Sequence, residues 1–229
     1  MSVKLFYNKS YQLIIKGVEI MKTRKVYIYV FNTMSDWEVG YLTAELNTGR
    51  YFKKELEPLK VITAGIDKNP IITMGGLRVL PEITVDEFNM ESKDLLILPG
   101  GNTWLSMNHE IILEKVKEAL IQDSIVAAIC GATLGLAKKG LLDFRNHTSN
   151  DLEFLKMVIP NYSGEKYYKT ESVVSDENLV TASGIAPLEF TFQVLKLLDV
   201  FESEALNSWL NLYKTHDSKY FFELMNCNK

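Results

Sequence analysis

Cysteine is almost missing from this chain: two residues of 229, Cys130 and Cys227, accompanied by three histidines, His109, His147 and His216. Two thiols cannot build a disulfide framework, and neither stands at metal-ligand spacing from a histidine. No metal is expected, no cofactor motif is present, and a reducing cytoplasm is the expected home. An excess of positive charge is also lacking, since 25 Lys+Arg stand against 29 Asp+Glu for a formal net charge of −4. That balance argues against holding a nucleic acid by its phosphates. No apolar run approaches the roughly 20 residues that span a bilayer, so no membrane partner is expected. Repeats, low-complexity tracts and Pro/Ser-rich linkers are missing too, which leaves one main domain. Residues 1–20 carry Lys4, Lys9 and Lys16 and only a broken apolar patch, a poor secretion signal. They read as an extension outside the fold, with translation expected to start at Met21.

What is present is an alternation of short β-rich runs with longer helical ones, the pattern of a parallel sheet covered by helices on both faces. Strands are expected at 26–31, 59–64, 94–99 and 124–129, and helices at 36–47, 110–122, 132–139 and 187–198. Residues 71–84, turning at Met74-Gly75-Gly76, and 170–183, turning at 175–178, read as hairpins. The expected α/β domain spans 21–200. The tail 201–229 reads as one or two amphipathic helices docked through Trp209, Tyr213, Phe221 and Phe222.

One stretch carries chemistry. The apolar run 125–129 passes directly into Cys130-Gly131 and then into a helix of small residues, a strand-to-helix elbow that presents the thiol at the positive end of a helix. Such a cysteine is expected to ionise near neutral pH and act as a nucleophile. The competing reading is a small buried core thiol. At Leu98-Pro99-Gly100-Gly101-Asn102 a second turn ends a central strand. Its free amides, with that of Gly131, would cradle an oxyanion, unless it is an ordinary tight turn. Trp104 is either a pocket wall above Cys130 or a packed loop residue, and Trp37 is expected in the core. His109 reads as a helix-start residue. Cys227 reads as an exposed bystander.

Taken in order, several pieces resemble the ThiJ/PfpI family, relatives of the parkinsonism-associated deglycase and of class-I glutamine amidotransferase domains. They are Ser35-Asp36-Trp37-Glu38, the turn at 98–102, Ala-Ile-Cys-Gly at 128–131, Gly140-Leu-Leu-Asp143 with His147-Thr148-Ser149, and Thr181-Ala-Ser-Gly184 leading into Glu189-Phe190. The resemblance covers residues 25–198. It implies a flavodoxin-like parallel-sheet sandwich of the class-I glutamine amidotransferase kind, a homodimer, and a role for Glu38 as the acid beside the cysteine. From the residues alone Glu38 would be a first-turn helix acid. Many relatives carry a histidine directly after the cysteine, where this chain has Gly131. Others carry one in the loop where this chain has Asn150. His147, three residues upstream, is left with two readings, a general base that reaches the pocket or a loop cap. The glutamine and the His-x-Glu element of glutaminases are missing, and the tail is too short for a helix-turn-helix module. The expected activity is a cysteine-dependent hydrolase (protease or amidase) or a glyoxalase- or deglycase-like enzyme, acting on a small carbonyl or amide substrate through Cys130. The alternative is a non-catalytic redox or stress sensor, or a protein-quality-control factor, using the same thiol.

Overall fold

The computed structural model describes residues 24–227. The proposed extension 1–20 and the start at Met21 lie outside the described residues. Strand β1 (Val26–Tyr29) is followed by a single 3-10 turn (Asp36–Glu38) and helix α1 (Gly40–Thr48). Next come β2 (Val61–Gly65), a small hairpin of β3 (Ile71–Ile72) and β4 (Arg78–Val79), and β5 (Ile83–Thr84). Strand β6 (Leu95–Leu98), helix α2 (Glu110–Ile121), strand β7 (Ile125–Ile129) and helix α3 (Gly131–Lys138) form the middle of the chain. Helix α4 (Leu152–Val158), strands β8 (Val173–Asp176) and β9 (Leu179–Ala182), and helices α5 (Pro187–Leu198), α6 (Ser203–Thr215) and α7 (Ser218–Cys227) complete it.

Seven strands make one sheet in the order β5-β2-β1-β6-β7-β9-β8. All neighbours run parallel except β8 against β9. Every residue of β1, β6, β7 and β9 is buried. A central strand buried along its whole length needs cover on both faces, which explains why these runs are continuously apolar rather than alternating. Helices α2 and α3 pack on β7, while α1, α5 and α6 pack on one another. The registers Leu98↔Ala128 and Ile129↔Ala182 bring the carboxyl ends of β6, β7 and β9 together. In open parallel sheets that edge is where sites form.

Several expectations need correction, and one helix was not foreseen. The helix expected over 36–47 is split, because the chain makes a 3-10 turn before α1 and so turns Glu38 inward. Trp37 is not a core residue; it is 52% exposed, on the opposite side of that turn from Glu38, which is 1% exposed. The hairpin is shorter than 71–84: β3 and β4 pair only with each other, and β5 leaves them to extend the main sheet beside β2. Helix α4 has no counterpart in the sequence reading. The tail folds as expected into two helices, with Trp209 fully buried against α1 and its Nε1 donating to Glu45 Oε1 at 3.0 Å, but Phe221 and Phe222 do not dock it: they are 43% and 63% exposed, and Leu224 is the buried residue of α7.

Candidate active site

Cys130 is the hinge between β7 and α3, and its backbone sits at φ 58°, ψ −124°. A non-glycine residue in that region costs on the order of 1–3 kcal/mol and persists only where its surroundings fix it. Here they do. The Cys130 amide donates to Ala182 O at 2.9 Å, and Cys130 O accepts from Thr133 N at 3.1 Å and Thr133 Oγ1 at 2.6 Å. Small residues in α3 let the helix come close: a Cβ at Gly131 would lie 2.8 Å from Gly101 O, and one at Gly135 would lie 2.5 Å from the Trp104 ring.

The half-buried sulfur is ringed by four elements. Asn150 Nδ2 donates to Sγ at 3.3 Å. The Asn150 amide is oriented by its other end, since Oδ1 accepts the Gly184 amide at 2.8 Å, so the nitrogen must face the thiol. Gly184 touches the sulfur so closely that a Cβ there would lie 2.7 Å from it. The Gly131 amide also hydrogen-bonds the thiol. Beneath lies Glu38, whose Oε2 accepts the Gly100 amide at 2.6 Å and whose carboxyl lies beside the thiol: a Cβ on Gly184 would meet Cys130 Sγ at 2.7 Å and Glu38 Oε1 at 3.2 Å. Gly100 has to be glycine, because a Cβ would lie 2.6 Å from Glu38 Oε2 and 2.7 Å from Cys130 Cβ.

Burial pushes the Glu38 carboxyl above its ordinary range, against the Gly100 and thiol hydrogen bonds that favour its charge. Burial likewise pushes the Cys130 thiol up; the Asn150 and Gly131 donors pull it down, and a charged Glu38 pushes it up again. The expectation that the helix end alone ionises this cysteine therefore does not hold. A charged Glu38 opposes ionisation of the thiol and a protonated one does not, so the two groups titrate as a coupled pair.

The other expected site residues divide. Gly101 stands back to back with Gly131, and a Cβ on it would lie 2.6 Å from the Phe31 ring. The Gly100 amide is spent on Glu38 and is not available to an oxyanion. Trp104 is not a pocket wall: it is 1% exposed, donates Nε1 to Pro99 O at 2.9 Å, and underlies α3. His147 is not brought to the thiol. It is buried between the edges of Tyr162 and Tyr168, with Nδ1 bonded to Arg145 O at 2.7 Å and Nε2 to Tyr162 Oη at 2.6 Å. Both ring nitrogens are satisfied by the loop they hold, so of its two readings the structural one stands. His109 is likewise a core group, set between Tyr29 Oη and Thr103 Oγ1 at 2.9 Å each and stacked on Trp104. It borders a cleft of about 430 Å³ at the carboxyl ends of β1 and β2 that Cys130 does not line. Gly184 was the residue the sequence reading left out of the site, although the Thr-Ala-Ser-Gly run that ends in it marked the place. Among the described residues no cluster of three or more His, Cys, Asp or Glu side chains could hold a metal ion, and no helix is long and apolar enough to cross a membrane.

Comparison with known proteins gives the same frame. The chain is similar to the uncharacterized protease YoaZ of Bacillus subtilis (strain 168), 61% identical over 206 residues that make up 90% of this chain and 98% of YoaZ. The crystal structure of a ThiJ/PfpI family protein from Bacillus anthracis superposes with a TM-score of 0.89 at 64% identity, covering 91% of this chain and 99% of that one. The glutathione-independent glyoxalase DJR-1.2 of Caenorhabditis elegans is 24% identical over 145 residues, 62% of this chain and 74% of DJR-1.2. The DJ-1/PfpI family profile matches residues 24–197, a span that holds the elbow, the Pro-Gly-Gly turn and Glu38 alike. The chain belongs to the DJ-1/PfpI family.

Proposed function

We propose that this protein is a cysteine-dependent enzyme that acts on a small carbonyl compound, with Cys130 as nucleophile and Glu38 as its proton partner. The observation that carries this reading is the pairing of Cys130 with a buried carboxyl while both His147 nitrogens are occupied elsewhere. One proton-transfer group is enough for carbonyl addition. The thiolate forms the S–C bond, the carbonyl π pair moves to oxygen, and the proton on Glu38 passes to that oxygen, leaving a hemithioacetal and a Glu38 carboxylate able to take a proton back. Amide hydrolysis asks for more, since a leaving amine must be protonated and a water activated, and no imidazole stands at the thiol to do both. The glyoxalase name of DJR-1.2 agrees with the carbonyl reading and the protease name of YoaZ with the amide one. Asn150 steadies the thiolate from the solvent side, and the Gly131 amide from the helix.

A second reading, a redox sensor, draws on the same absence of an imidazole: a half-buried sulfur between amide donors also suits the oxygen of a sulfenic or sulfinic acid. The test is steady-state consumption of methylglyoxal and of a peptide-amide panel by wild type and Cys130→Ala. Methylglyoxal loss that vanishes in the variant supports the enzyme. Equal background rates for both proteins leave the sensor.

A further inference from the structure

The described groups around the reacting sulfur share a property that the reaction alone does not require: none of Glu38, Asn150, Gly131 and Gly184 is a cation. Glu38 is held by the Gly100 amide and lies beside the thiol. Asn150 and Gly131 contribute neutral donors, already directed at the sulfur, and Gly184 contributes only backbone. A second carboxylate stands on the same 3-10 turn. Asp36 accepts Thr73 Oγ1 at 2.8 Å, and Gly75 packs against it so tightly that a Cβ would lie 2.4 Å from its Oδ2. Arg78, the arginine of the hairpin that clasps Asp36, is exposed and forms no ion pair with it.

When the thiol is ready to react, the Cys130–Glu38 pair carries one negative charge whichever member holds the proton, and Asp36 adds another at the same turn. An incoming anion would meet that charge at a half-buried sulfur, and among the described residues no salt bridge or hydrogen bond brings a lysine, arginine or histidine to Cys130, Glu38 or Asp36 to offset it.

We propose that the Cys130 site selects neutral or cationic small electrophiles and rejects anionic ones, such as α-keto acids and phosphorylated aldehydes. The inference rests on Cys130 being the nucleophile.

The test uses two reagents of the same size that differ by one charge, iodoacetamide and iodoacetate. Both alkylate the thiolate with loss of iodide. Their second-order rates at Cys130 are measured in Cys227→Ser protein, which has one thiol, and the iodoacetamide/iodoacetate ratio is divided by that of the same protein unfolded in urea. A normalised ratio of about tenfold or more is expected. It should fall severalfold in Ile185→Lys, which places a cation at a 93% exposed position beside Gly184, and should fall also in Asp36→Asn. A folded ratio equal to the unfolded one overturns the proposal, and so does a high ratio that neither substitution lowers. Failure of both reagents to label folded Cys130 would instead remove the nucleophile reading, and the charge selection with it.

Discussion

Glu38 ends the 3-10 turn and Glu45 lies in α1, and each is 1% exposed. One is a reactive acid and the other an anchor. Glu45 faces the Arg50 guanidinium, with Arg50 Nε on Oε2 at 3.0 Å, and accepts Trp209 Nε1 at 3.0 Å, so its charge is matched and it ties α6 to α1. Arg50 in turn is held protonated still more firmly. Glu38 has the same burial with only neutral partners, and burial drives it toward its protonated form. Desolvation without a countercharge selects the neutral species, which in a carboxyl is the species that can give a proton away.

The largest effect expected from that contrast is on turnover. Glu38→Gln preserves shape and removes the transferable proton, so carbonyl consumption should fall by about 10²-fold or more, while thermal unfolding moves the opposite way. A carboxyl whose folded pKa is raised contributes stability that is fully present below its unfolded value of 4.5 and declines as pH rises from there through the folded value. The Gln variant lacks that decline. It should therefore be more stable than wild type at pH 7, with the advantage gone near pH 4. A Gln variant that is less stable at pH 7 and fully active would break the contrast between the two carboxyls.

The same rule applied to a base sharpens it. His109 is 2% exposed between two hydroxyls and a tryptophan, and burial lowers its pKa from 6.5 to about 4. Its folded form is neutral, so the stability it contributes is present above 6.5 and is lost as pH falls through 4. That lowering corresponds to roughly 3 kcal/mol lost at low pH. In His109→Gln the part of the acid unfolding curve between pH 6.5 and 4 should flatten, as followed by urea midpoints across that range. An unchanged curve would mean that the proton is taken up elsewhere.

How much of this was legible in the sequence differs by element. Strands β1, β6 and β7 and the elbow are written in apolar runs, because a strand buried on both faces favours an apolar residue at every position. Cys130 and the two turns could be read from order alone. Helix α4 could not: it has seven residues and buries only Leu155, too short for a period to emerge, and its one local signal was Asp151, which caps it by accepting Phe154 N at 2.7 Å. Strand β5 is two residues long and owes its place to pairing with β2, a tertiary choice with no local signature. At the site, the helical period of 36–47 concealed the 3-10 turn that points Glu38 inward and Trp37 out. His147 and His109 illustrate the harder limit. Residue type announces what a histidine can do, whereas the tyrosine hydroxyls that occupy one nitrogen of each, Tyr162 for His147 and Tyr29 for His109, come from positions 15 and 80 residues away in the chain.

The smallest of the expected effects falls on Glu45 and completes the contrast from its other side. Glu45→Leu keeps the apolar bulk of the site but leaves the buried Trp209 N–H without an acceptor. Such an orphaned donor costs about 2 kcal/mol. Arg50 adds little, since its side chain is 47% exposed and can turn to water. The loss should be local. Hydrogen exchange should accelerate in α6 and α7, which Trp209 fastens to α1, ahead of the central strands. The pH dependence of Cys130 alkylation should not move, because Glu45 touches neither the thiol nor the turn that carries Glu38. If alkylation of Cys130 shifts together with the tail, the two carboxyls belong to one coupled unit and the division between anchor and acid fails.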